Sequence, residues 1–199
     1  MGWALCRADS TRGDCSVILN ETPISGIWLV DLAPLRDERG FFARTYCQEI
    51  FKSYGIESNW VQANVSFNAQ TGTLRGLHYQ TAPYEEAKLV RVSRGRIFDV
   101  MVDLRPDSTT FGQTFSHELD ASSMRSLYIP TGIAHGFQTL EPDSEVTYLM
   151  SQVYSPAHTM GLHWQDPDLA IAWPLPFPVV SPRDATHPFF KDVFQGVGS

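Results

Sequence analysis

The chain has 199 residues, 43% of them hydrophobic and 19% charged, which suits one folded unit with a sizeable core and excludes a disordered chain. A formal net charge of −7 speaks against nucleic acid or an anionic membrane as partner, and the apolar runs are too short to cross a bilayer. Nothing at the start reads as a secretory signal, and Cys6, Cys15 and Cys47 have no metal-like spacing, so the expectation is a cytoplasmic protein without a disulfide framework.

Residues 1–20 mix Gly, Ser and Asp and read as an extended or poorly ordered arm, with a single domain expected over 24–199 and the arm ending at 23. From Ile24 the text turns to short runs rich in Val, Ile, Phe, Tyr and Thr between turn residues. Strands are expected at 27–32, 60–67, 73–79, 87–92, 96–104, 114–119, 126–129 and 145–154. Alternation is clear at 88–92 and 100–104, so each of those strands should bury one face. Only 47–54 carries helical periodicity, as one or two turns; Gly112, Gly132 and Gly136 read as turns or close backbone approaches. From about Trp164 the chain is rich in Pro and aromatics and reads as an ordered extension over the sheets, with a short helix near 188–194. Many short strands and few helices give an all-β sandwich or barrel.

Six of the fifteen Lys and Arg residues fall between Arg75 and Arg105, a basic stretch in an acidic protein that could receive a small anion. In a regular strand Arg75 and His78 face opposite ways, unless a bulge at Gly76 breaks the period. Taken singly, His78, His135 and Tyr148 read as structural residues, and Asp103 with Arg105 as an ion pair at a strand end.

The words RGLHYQ (75–80), VDLRPDSTTFG (102–112), IPTGIAHGF (129–137) and QDPDLAIAWP (165–174), with DERGFF (37–42) and QANVS (62–66), resemble the dTDP-4-dehydrorhamnose 3,5-epimerase family over about residues 24–190. The resemblance implies an all-β cupin jelly-roll barrel with short helices and an ordered C-terminal extension. It also implies a homodimer that inverts C3, C5 or both beside the C4 ketone of a dTDP-4-keto-6-deoxyhexose, without metal or organic cofactor. Carried onto this chain, His78 is the base, Asp184 its supporting carboxylate, Tyr148 the acid from the opposite face and Lys88 the cation near the ketone oxygen. Arg75 and His135 match pocket positions, and Arg39, Gln62 and Asn64 match nucleotide or diphosphate contacts. Tyr154 and Trp173 would line the sugar pocket or belong to the core.

Two features qualify this picture. A cupin metal site needs His-x-His, a nearby carboxylate and a later His; here Gln80 stands where the second His would be, with Glu85 or Glu86 and His135 as the remaining donors, so the reading is against a metal. The DERGFF word is commonly followed two residues later by Glu, whereas this chain has Arg44, which leaves CDP or another carrier beside the favoured dTDP. Against the double epimerase stand a single-centre 3- or 5-epimerase, a 3,4-ketoisomerase on the same scaffold, and a sugar-binding cupin without activity. The long C-terminal segment bearing Asp184, together with Tyr148, speaks against the ketoisomerase.

Overall fold

In a computed structural model that describes residues 17–194, the alternating runs of the sequence become two facing β-sheets. The strands are β1 (Val17–Glu21), β2 (Trp28–Leu32), β3 (Leu35–Asp37), β4 (Gly40–Phe42), β5 (Gln62–Asn68), β6 (Thr73–Gln80) and β7 (Lys88–Arg94). They continue as β8 (Arg96–Asp103), β9 (Thr114–Asp120), β10 (Ser126–Ile129), β11 (Ile133–Thr139), β12 (Ser144–Met150), β13 (Thr159–Gly161) and β14 (Val179–Val180). Helices α1 (Gln48–Ser53) and α2 (Phe190–Val193) are short. One sheet runs β1-β2-β10-β7-β12-β5; the other runs β13-β6-β11-β8-β9 with β14 added in parallel to β6. This is the expected cupin jelly roll.

The pleat decides what each face holds. Val90 and Val92 on β7, Leu127 and Ile129 on β10 and Val146 on β12 point between the sheets. There they meet Ile97 and Met101 on β8, Leu119 on β9, and Ile133 and Phe137 on β11. This apolar plug fills one part of the barrel interior and leaves the other part to polar side chains. The outer face of the second sheet (Leu77, Tyr79, Val100, Val102, Ala134) is covered by the chain after β13 through Leu162, Leu169, Ile171, Trp173, Phe190 and Phe194. The outer face of the first sheet (Val30, Leu89, Tyr128) is covered in part by Phe51 of α1 and by Trp60.

The strands anticipated in the sequence all form, with small shifts at their ends. Val17–Glu21, which the sequence reading grouped with the arm, is strand β1: it pairs along β2, with Val17 and Leu19 buried and Ile18 outside. Residues 1–16 of that arm lie outside the described residues. Strand β11 was not anticipated as a strand, because its glycines read as turns. It is central and fully buried, and Gly136 is there because β6 passes so close that a Cβ on Gly136 would stand 2.7 Å from the Arg75 carbonyl oxygen.

Candidate functional site

The inward face of β6 carries the first two site residues, and a bulge makes that possible. His135 pairs with His78 and Phe137 with Arg75, so two steps along β11 span three along β6. The extra residue restores Arg75 and His78 to the same side, as the bulge at Gly76 requires. Gly76 has φ +137°, and a Cβ there would lie 2.5 Å from the Gly136 Cα, so only glycine fits.

Inward positions of five strands then converge on a cavity of about 470 Å³. It is lined by Gln62 and Asn64 of β5, Arg75 and His78 of β6, Lys88 of β7, His135 of β11 and Tyr148 of β12. The members come from both sheets: His78 and His135 stand on one wall, Lys88 and Tyr148 on the other. Seven of the nine site residues chosen from sequence therefore line one cavity, and an eighth, Asp184, touches it through His78.

His78 Nε2 lies 2.8 Å from Asp184 Oδ1. Asp184 starts a short 3₁₀ turn (Asp184–Thr186) whose first amide donates to the Ser181 hydroxyl, and β14 ties the preceding residues to β6. Its other oxygen accepts the Gly76 N–H at 3.3 Å. Burial alone would raise the Asp184 pKa, but the hydrogen bond and charge of His78, the Gly76 amide and His187 together bring it below the ordinary carboxylate value. Asp184 is thus held ionised, His78 donates from Nε2, and Nδ1 is left as the basic nitrogen.

Lys88 is almost fully buried, and its ammonium reaches Glu86 at 3.1 Å and donates to the His78 carbonyl oxygen at 3.3 Å. Tyr148 is pushed far above the ordinary phenol pKa, first by burial and then by the charge of Asp99. Its ring stands edge-on to His135, centroids 6.3 Å apart. His135 forms a second imidazole–carboxylate pair, Nε2 to Asp99 Oδ1 at 2.6 Å, with both side chains buried. Arg75 donates from Nε to Asn68 at 2.7 Å, and Gln62 donates to Asn64 at 3.0 Å while its Oε1 accepts the Tyr154 N–H.

The ninth residue, Arg39, stands apart. It lies on the β3–β4 hairpin, ion-paired to Asp37 at 2.6 Å with its side chain 85% exposed, and is not among the residues lining the cavity. Of the two aromatics left open, Tyr154 lines the cavity, whereas Trp173 packs on Phe98 outside the second sheet and donates to the Trp164 carbonyl oxygen. Gln80, at the position of a second cupin histidine, has its amide occupied: Nε2 donates to the carbonyl oxygens of Tyr84 and Val153, and Oε1 accepts the Ser155 N–H. The sequence reading did not single out Asp99, Arg183 or His187. Asp99 had a signal, a lone carboxylate in the apolar run 97–102. Arg183 and His187 had none, because the fold of the C-terminal segment decides where they point.

A family model described as dTDP-4-dehydrorhamnose 3,5-epimerase matches residues 21–192. The chain is 39% identical over 166 residues to the dTDP-4-dehydrorhamnose 3,5-epimerase of Sinorhizobium fredii, covering 83% of this chain and 85% of that one. It is 40% identical over 162 residues to the dTDP-4-dehydrorhamnose 3-epimerase of Streptomyces niveus, covering 81% and 78%. The crystal structure of the Bacillus anthracis dTDP-4-dehydrorhamnose 3,5-epimerase with TDP and PPi bound superposes with a TM-score of 0.85 at 40% identity, covering 87% of this chain and 99% of that one.

Proposed function

Since this chain belongs to the dTDP-4-dehydrorhamnose 3,5-epimerase family of isomerases, we propose that it inverts C3 and C5 of a dTDP-4-keto-6-deoxyhexose by proton transfer between His78 and Tyr148. The observation that carries this reading is that an imidazole and a phenol line one cavity from facing sheets. A sugar ring between them offers one face to each.

A proton beside a ketone is weakly acidic, so its removal needs a base of near-neutral pKa and stabilisation of the charge that moves onto oxygen. His78 takes the proton on Nδ1, and Asp184 stabilises the imidazolium from behind. Lys88 faces the developing enolate oxygen. Tyr148, whose raised pKa keeps it protonated at neutral pH, returns a proton from the opposite face, and that delivery inverts the centre. Arg75, Gln62 and Asn64 contact the nucleotide diphosphate, where a planar guanidinium suits phosphate oxygens. His135, oriented by Asp99, contacts the sugar.

The dTDP carrier follows the family, and TDP is the ligand of the Bacillus anthracis structure. The assembly is read as a homodimer. Val65 and Phe67 on the outer face of β5 and Phe41 and Phe42 on the hairpin are all more than half exposed, and a second copy would cover them. Arg39 would meet a diphosphate only across such an interface. Among the described residues no helix is long and apolar enough to cross a membrane, and a cytoplasmic location is part of the same proposal.

The test is proton NMR of dTDP-4-keto-6-deoxyglucose with the protein in deuterium oxide. Loss of both the C3 and C5 proton signals supports the double epimerase. Loss of one assigns the single-centre reaction that the Streptomyces niveus relative is named for. Retention of both overturns the enzymatic reading.

A further inference from the structure

The His78–Asp184 pair has a third neighbour that the proton-transfer scheme leaves idle. His187 Nε2 sits 3.6 Å from Asp184 Oδ1, the same oxygen that His78 reaches at 2.8 Å. The three donor atoms all lie within 4.8 Å of one another. His187 Nε2 is buried and makes no hydrogen bond, an uncommon state for a ring nitrogen. The two rings meet nearly at right angles, 78° with centroids 5.6 Å apart, so they address the carboxylate from two directions. The His187 ring is also held in place: it lies against Gly161 so closely that a Cβ there would come within 2.4 Å of Nε2.

We propose that His78, Asp184 and His187 form a binding site for a first-row divalent transition metal ion such as zinc, and that occupancy switches the epimerase off. Two imidazoles and one carboxylate are the donor set such ions take, whereas magnesium and calcium prefer oxygen alone. The Nε2 of His187 is unpartnered and lies beside the shared carboxylate, while Arg183 is the nearby cation that opposes binding. Orphaned in the metal-free protein, Nε2 of His187 gains its missing partner in the metal-bound one.

The inhibitory consequence follows from proton bookkeeping and rests on the proposed epimerase reading. In the proposed active dyad the His78 proton is on Nε2, toward Asp184, and the lone pair that takes the sugar proton is on Nδ1. A metal ion on Nε2 displaces that proton, and the neutral ring then carries its hydrogen on Nδ1. No lone pair remains to take a proton from the sugar. The metal is an inhibitor here and supplies nothing to catalysis.

Binding is measured first, without substrate, by equilibrium dialysis of the full chain against zinc and by the visible absorption of bound cobalt(II). The wild type is expected to take up one ion in competition with a mild chelator, and His187→Ala or the size-matched His187→Asn to bind at least about a hundredfold more weakly. Epimerisation is measured second, each protein against its own zinc-free rate. Zinc should suppress the wild type at least about tenfold, with recovery on adding EDTA, and leave the ratio for the variants near one. Wild-type affinity retained in both variants, or no competitive uptake by the wild type, overturns the site. Uptake that depends on His187 without inhibition overturns the switch and retains the site. Absence of turnover in zinc-free wild type counts against the epimerase reading and leaves the binding result intact.

Discussion

His78→Asn and Tyr148→Phe would separate the two half-reactions proposed for the cavity. Asparagine has no basic nitrogen, so His78→Asn should lower turnover by about 10²–10⁴ and deuterium exchange along with it. Phenylalanine keeps the ring of Tyr148 and removes the hydroxyl that would donate the proton, so Tyr148→Phe should let deuterium wash in from the His78 face while inversion fails. Proton NMR in deuterium oxide reads both variants, and full activity in either refutes its assignment. A different residue governs stability against acid. Asp103 is fully buried and accepts from Arg105, Ser108 and Thr110; burial alone would raise its pKa, but these partners hold it at about 2, against an ordinary 3.8. A depressed folded pKa contributes stability above the unfolded value that is lost as pH falls through the folded one. The contribution is about 2 kcal/mol at neutral pH, and it should disappear between about pH 4 and pH 2. Chemical denaturation of Asp103→Asn against wild type should show that gap at pH 7 and its closure at the acid end. The residues of the site were legible to different depths. His78 and His135 lie in motif words, whereas Tyr148 and Asp184 were reached only through the resemblance; Asp184 stands 106 positions from His78 and no local pattern joins them.

At the scale of elements, the bulge in β6 connects fold to site. Gly76→Ala would drive a methyl group into the backbone of β11, at a φ that disfavours any side chain. The expected result is loss of several kcal/mol in denaturant unfolding, or failure to express as folded protein. Gly55→Ala is the control, since a Cβ there meets nothing within 4 Å and carries only the backbone penalty of its own positive φ. The sequence made most strands legible as short runs of Val, Ile, Phe, Tyr and Thr between turn residues, even where both faces are buried, as in β10. It failed at β11, where Gly132 and Gly136 interrupt the run and suggested turns. It also missed the hairpin β3–β4, whose residues are all exposed and carry no pattern of burial.

For the whole molecule, the prediction concerns assembly. Val65 on the outer face of β5 is 62% exposed, and Val65→Glu would place a charge amid Phe67 and the hairpin aromatics proposed to meet a second copy. Light scattering coupled to size exclusion should report a dimer for the wild type and a monomer for the variant. A wild-type monomer would remove the homodimer, and an undisturbed dimeric variant would move the interface elsewhere. An all-β sandwich or barrel was legible from short strand-like runs and turn spacing, and the jelly roll from the resemblance; the position of Arg39 away from the cavity was not, because a motif word carries no information about where its hairpin sits in the fold.

The covering of the second sheet by the C-terminal segment has a temporal consequence. Translation delivers every strand of the pocket wall before it delivers Asp184. A nascent barrel can therefore close around its imidazole and phenol while the imidazole still lacks its counter-charge. Under the proposed mechanism, competence arrives only when the trailing segment docks, so the same stretch of chain that seals an oily surface also completes the imidazole–carboxylate pair.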